Sequence, residues 1–289
     1  TSQWLPSTQA ATSVAEQEVK DRSQALLPRG LGGLLDETFS IYGRHLRQWL
    51  IIAAVIYLPV GLVSIGLGQF AGGPGIVLFT YVLEVAGAVL AFSGVAYGVG
   101  QHYVTGVVGV RECYARAWWM IRSLTLLLLV PIGALLAVAV PLNYGGDVVG
   151  TIVPMLLAPI AIGAAVYWLM AVPAVVIEEQ RALAALKRGF GLVQGSWRRV
   201  FGVALVLMLL ALGMAVVLAL LGGITAALLG STLVSGTTAV LIGISDLVVM
   251  VLVSPVIMIA WTLLYNDLRV RKEKYDVPAI SRELGIAAN

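Results

Sequence analysis

Two acidic residues, Glu84 and Asp246, interrupt long apolar runs of this chain, and they are its clearest candidates for chemistry. An ionised carboxylate near the centre of a bilayer costs about 3 kcal/mol on insertion scales. Such groups therefore face a protein interior or a wet cavity, and they commonly bind or pass a solute. The alternative role is structural, with each carboxyl hydrogen-bonded to a nearby hydroxyl and holding helices in register. Glu84, Gly87, Ala91, Gly94 and Gly98 share one helical face at steps of 3, 4, 3 and 4, and Ala239, Gly243 and Asp246 form a shorter stripe. Small residues on one face let helices approach closely, so both carboxylates are expected to point into a bundle. The structural role is the expectation: each carboxyl dry, against a hydroxyl or backbone partner. Transport would require instead that both border one hydrated cavity.

Other reactive residue types are few. The two histidines, His45 and His102, have no histidine or carboxylate at i, i+4 on their own helices, and they read as interface or loop positions. A single cysteine, Cys113, leaves no internal disulfide and no cysteine-rich metal site, and reads as a small apolar residue. The chain has no GxSxG elbow, phosphate-binding loop, HExxH or haem-attachment motif. The glycines of GLGQFAGGPG follow no strand and read as a turn. The expectation is a protein without catalytic residues, metal or cofactor.

The elements that position Glu84 and Asp246 are membrane spans. With 60% hydrophobic and 11% charged residues the chain departs from a soluble domain, in which about 25% are charged. About 20 apolar residues cross a hydrocarbon core. Six runs qualify, at roughly 48–68, 76–100, 123–142, 150–177, 200–229 and 237–264. All 18 Lys and Arg residues fall before the first span, between spans two and three and spans four and five, or after the sixth. By the positive-inside rule both termini are cytoplasmic. Basic residues beside apolar spans point to anionic lipid headgroups as partners and argue against nucleic acid, despite a pI near 9.1. Residues 1–30 and 276–289 read as flexible cytoplasmic tails, and abundant Gly, Ala and Val with Arg over Lys suggests a bacterial cytoplasmic membrane. Prolines 59, 131, 159, 173 and 255 fall inside spans, where neighbours can take the carbonyls they free.

The cytoplasmic segments carry a repeat. Leu35, Phe39, Tyr42, Leu46 and Trp49 follow steps of 4, 3, 4 and 3, the spacing of one helical face. Val110, Tyr114, Ala117, Ile121 and Leu124 repeat it, as do Leu186, Phe190, Val193, Trp197 and Val200. Each stripe leads into two spans. The predicted fold is thus all-α, with three units of amphipathic interfacial helix plus transmembrane hairpin at about 31–108, 109–178 and 179–268. Helices are predicted over 34–47, 110–121 and 183–197, with their apolar stripes in lipid or protein. Arg44, Arg47, Arg116, Lys187, Arg188, Arg198 and Arg199 are the candidates for headgroup contact. Trp49, Trp118, Trp119, Trp197 and Trp261 fit an aromatic belt near the cytoplasmic boundary. Glu178 and Glu179 fit the N-terminus of the third interfacial helix, and Asp267 with Arg269 a surface or cap pair.

LLDETFSIYGRHLRQW (34–49), VPAVVIEEQRALAALKRGFGLVQGSWRRVF (172–201) and WTLLYNDLRVRKE (261–273) make residues 30–275 resemble the membrane domain of glycerophosphoryl diester phosphodiesterases of bacteria and archaea. In those enzymes a soluble domain after the membrane region carries the catalytic His, Glu and Asp residues and a divalent metal. Only a short tail follows the matching region here, so the resemblance implies the fold and not the activity. The expected role is non-catalytic: a scaffold, a lipid-organising protein or an accessory subunit with other membrane proteins as partners. The alternative is a permease for a small or amphipathic solute that uses Glu84 and Asp246.

Overall fold

A computed structural model describes residues 30–70, 73–144, 146–229, 235–273 and 282–283. The predicted tails at 1–30 and 276–289 lie outside these residues except for Gly30 and 282–283, as do parts of the turns opposite the amphipathic helices. The described residues are almost all helical, with no strand among them. In chain order the helices are α1 (Leu31–Arg44), α2 (Leu46–Phe70), α3 (Pro74–Thr105), α4 (Val110–Trp119), α5 (Ile121–Leu127), α6 (Leu129–Tyr144), α7 (Gly146–Glu178), α8 (Ala182–Val193), α9 (Trp197–Leu229) and α10 (Ser235–Glu273). Six of the helical stretches are long and apolar enough to cross a membrane: Leu46–Gly68, Gly75–Thr105, Ile121–Val138, Gly150–Glu178, Trp197–Met214 and Gly243–Glu273.

The returning span of each hairpin is central. Helices α3, α7 and α10 pack on one another pairwise, while α2, α5–α6 and α9 stand outside them. Near-continuous burial runs over 91–104, 170–177 and 255–268, all at the end that carries α1, α4 and α8. Packing there depends on small residues, because lipid tails are as apolar as Leu and close van der Waals contact drives association. The stripe that includes Glu84 does this work: Gly87 lies on Ile56 and Val60, Gly94 on Ile52, and Gly98 against the Trp49 ring.

The amphipathic helices turn out to have two apolar faces. The residues buried against the bundle are Leu34, Thr38 and Ile41 in α1, Cys113 and Ala117 in α4, and Ala182, Ala185, Gly189, Leu192 and Val193 in α8. Gly189 is a contact that requires glycine, since a Cβ there would lie 2.9 Å from the Tyr167 carbonyl oxygen of α7. Some large residues of the predicted stripes sit beside this face: Phe39 is 52% exposed, Phe190 50% and Trp197 41%, turned outward as lipid-facing groups would be, whereas Trp49 and Leu124 are buried. The third amphipathic helix is shorter than predicted. It stops at Val193 because Gly195 takes a left-handed φ of 81°, and Trp197 begins α9. Trp118 and Trp119 face outward, whereas Trp49 and Trp261 are buried in protein, so these two do not form a belt.

One proline break, at Pro131, is repaired as expected. Pro131 cannot donate to the carbonyl four residues earlier, and the indole N–H of Trp168 donates to that oxygen, of Leu127, at 2.8 Å. Tyr42 of α1 donates to the Leu252 carbonyl at 2.8 Å, one residue beyond the carbonyl that Pro255 frees. The elbow between α1 and α2 is closed by Trp49 Nε1, which donates to the Ile41 carbonyl at 3.1 Å across the break at His45.

Candidate functional site

Toward the end of the bundle opposite α4 and α8, helices α2, α3, α9 and α10 border an open cavity of about 850 Å³. That lies within the range of small-molecule pockets, about 300–1,000 Å³. Helix α2 lines it with Tyr57, Val60, Gly61, Ser64, Ile65 and Gly68, α3 with Glu84, and α9 with Ala211 and Met214. Helix α10 supplies Gly243, Asp246, Leu247, Val249, Met250, Val253, Ser254 and Ile257. Two glycine contacts hold α2 and α10 together along this wall: a Cβ on Gly61 would meet Leu247 at 2.5 Å, and one on Gly243 would meet Ile65 at 2.7 Å.

Glu84 and Asp246 border this one space, and both are exposed on its lining. Neither has a hydrogen bond or ion pair to another described residue, so the expected hydroxyl or backbone partner is not there. The small-residue stripes explain the placement. Below Glu84 the stripe is in contact with α2, and Glu84 ends it where the cavity begins. The Ser64 hydroxyl, on the same lining, is shielded and bonded to no other group. Among the described residues no Lys, Arg or His belongs to the lining, which is otherwise mainly apolar.

At the other end folding brings together residues that sequence spacing left apart. His45 Nε2 and His102 Nδ1 lie 3.0 Å apart, with both rings buried, one N–H donating to the other ring's free nitrogen. Burial, and then the Arg44 charge, lowers the His45 pKa below the ordinary imidazole value. These are therefore interior positions and not the interface or loop sites predicted. Cys113 is buried as predicted, 3.6 Å from Gln101 Oε1, and burial pushes its thiol pKa up to about 12. Among the described residues no three His, Cys, Asp or Glu converge to hold a metal ion.

The YNDLRVR segment is a buried ionic junction and not a surface pair. Arg269, 4% exposed, reaches Glu178 at the end of α7 at 3.2 Å and grips Glu283 with both guanidinium nitrogens at 2.8 and 2.9 Å. Tyr265 donates to Glu178, and Arg188 of α8 pairs with both Glu178 and Glu273. Its bond to Glu273 holds the Arg188 guanidinium above its usual pKa. Asp267 pairs instead with Arg199 at 2.7 Å and Arg271 at 2.9 Å, fastening the start of α9 to α10. Glu179, at a positive φ of 55°, pairs with Arg116 at 2.7 Å. The acidic pair thus joins helices and does not cap the N-terminus of α8.

The seven headgroup candidates divide accordingly. Arg116, Arg188 and Arg199 are engaged within the protein, Arg116 also donating to the Val176 carbonyl at 3.2 Å. Arg44, Arg47, Lys187 and Arg198 are exposed, Arg44 within 3.5 Å of the Ser40 hydroxyl on its own helix. No family model, no curated protein and no solved structure matches this chain.

Proposed function

We propose that this is a membrane-embedded binding protein or permease for a small amphipathic solute, held in the cavity between α2, α3, α9 and α10. One observation carries the reading: two intramembrane carboxylates on different helices, both without a partner among the described residues, border the same space. A carboxylate kept only for helix register has a partner, because an unsatisfied buried polar group costs about 1–3 kcal/mol and more when charged. Groups left unpaired in a cavity of ligand size are available to a solute. Both termini are proposed to be cytoplasmic in a bacterial inner membrane, on the one-sided placement of Lys and Arg. The exposed Arg44, Arg47, Lys187 and Arg198 then lie where anionic headgroups reach them.

A second reading, an accessory subunit or scaffold, is favoured by α9. This helix packs mainly on α10 and leaves Leu205, Met208, Leu209 and Leu212 exposed along its flank. Gentle purification of the wild type and of Ala211→Trp, which puts an indole into the cavity, separates the two readings. Mass spectrometry is expected to find a small amphipathic compound retained by the wild type and lost from the variant. Identical compounds in both, together with a protein partner in fixed proportion, would overturn the solute reading in favour of the accessory one.

A further inference from the structure

Resting on that reading, we infer that the cavity selects lipophilic organic cations: an ammonium, phosphonium or guanidinium centre on an apolar body. Among the described lining residues the two formal charges are both negative, Glu84 and Asp246, with no Lys, Arg or His to balance them. The cations of the described bundle are gathered at its other end, where Arg116, Arg188, Arg199 and Arg269 are committed to Glu179, Glu178, Asp267 and Glu283. A ligand is therefore the source of positive charge that the cavity lacks.

The remaining lining decides what kind of cation. Val60, Ile65, Met214, Leu247, Met250 and Val253 present an apolar and, through methionine, polarisable and adaptable surface. Mg²⁺ keeps a shell of waters and Ca²⁺ takes about 6–8 oxygen ligands, and walls of this composition replace neither. An organic cation needs no such shell, since its charge is spread over a body that gains by leaving water. Low-dielectric walls also focus the field of the two carboxylates into the cavity, which raises the local concentration of cations and repels anions. A phosphate-bearing lipid, which would add negative charge to an uncompensated pair, is excluded by the same field. Ser64, whose hydroxyl has no other partner, offers a polar contact on the same wall.

Tetraphenylphosphonium and tetraphenylborate have the same shape and opposite charge, so they isolate the charge preference from the apolar fit. Each is added separately to the purified full chain in detergent, and binding is read from the rise in melting temperature with concentration. The expected result is saturable binding of the cation at least tenfold tighter than of the anion. In Glu84→Gln/Asp246→Asn, an isosteric pair of changes, that preference falls to about one. Equal binding of both ions by the wild type, unchanged in the variant, would overturn the cation assignment and leave the amphipathic-solute reading standing. No binding of either ion, with no compound lost on Ala211→Trp in the purification above, would remove both.

Discussion

The two ends of this bundle treat polar groups in opposite ways. Where α1, α4 and α8 meet the central helices, buried charge is paired: Arg269 with Glu178 and Glu283, Asp267 with Arg199, His45 with His102. The buried Asn266 amide, which has no hydrogen-bond partner, is the exception there. In the other half Glu84 and Asp246 face a cavity with no partner among the described residues. Burying an ion costs several kcal/mol unless geometry and further hydrogen bonds offset it, so the paired end carries architecture. On the proposed reading the unpaired end is the one that binds. Holding the fold and binding a solute would then fall to different residues of one bundle, which makes them separable by substitution.

The largest effect is expected at the ionic junction. Arg269→Met removes the guanidinium that Glu178 and Glu283 share and leaves buried carboxylate behind, which costs about 3–5 kcal/mol. Thermal melting of purified protein measures it. A comparable loss in Glu84→Gln or Asp246→Asn would break the contrast, since those side chains would then be holding the fold together too.

Next come the glycines. Gly98→Ala places a methyl 2.9 Å from the Trp49 ring, and overpacking of that kind costs about 1–3 kcal/mol. Gly68, on the cavity lining, has nothing within 4 Å of an added Cβ, and Gly68→Ala is expected to leave the melting temperature unchanged or slightly raised. Equal losses at both positions would mean that the lining at Gly68 is packed as tightly as the contact of Gly98 with Trp49.

A smaller effect concerns pH. With the His45 pKa lowered in the folded state, the unfolded chain binds a proton before the folded chain does. The stability contributed by the neutral ring is therefore complete above the ordinary imidazole value of about 6.5 and is lost as pH falls through the folded value. Melting followed from pH 8 to pH 5 is expected to decline at the acid end, with a shallower decline in His45→Gln. Smallest of all, Trp118→Ala and Trp119→Ala, at outward-facing positions, are expected to change stability in detergent by no more than about 0.5 kcal/mol.

Much of the fold was legible because membrane spans depend on composition and length. The six spans, the three amphipathic segments and the glycine stripe of α3 follow from local apolar runs and 3.6-residue periodicity. Contacts between distant residues leave no such local signal. His45 and His102 are 57 positions apart on different helices, and no spacing on either helix announces their meeting. Arg269 read as a surface residue because a charge after an apolar span ordinarily faces water, yet carboxylates from Glu178 and Glu283 make its burial possible. The periodic stripes located the amphipathic helices and part of the packed face, Trp49, Ala117, Leu124, Val193 and Val200, but not Thr38, Cys113 and Gly189, because such small residues make close contacts while adding little hydrophobicity. For Glu84 and Asp246 the inward orientation was readable, and the shared cavity was not, since it depends on where α2, α3, α9 and α10 stand relative to one another.

The central claim is that Glu84 and Asp246 are kept for a ligand and not for the fold. Its most direct test is the melting of Glu84→Gln/Asp246→Asn beside the wild type, with and without tetraphenylphosphonium. The account predicts equal melting temperatures without the cation, and a cation-induced rise in the wild type that disappears in the variant. A variant that melts well below the wild type yet keeps the full cation-induced rise would contradict it.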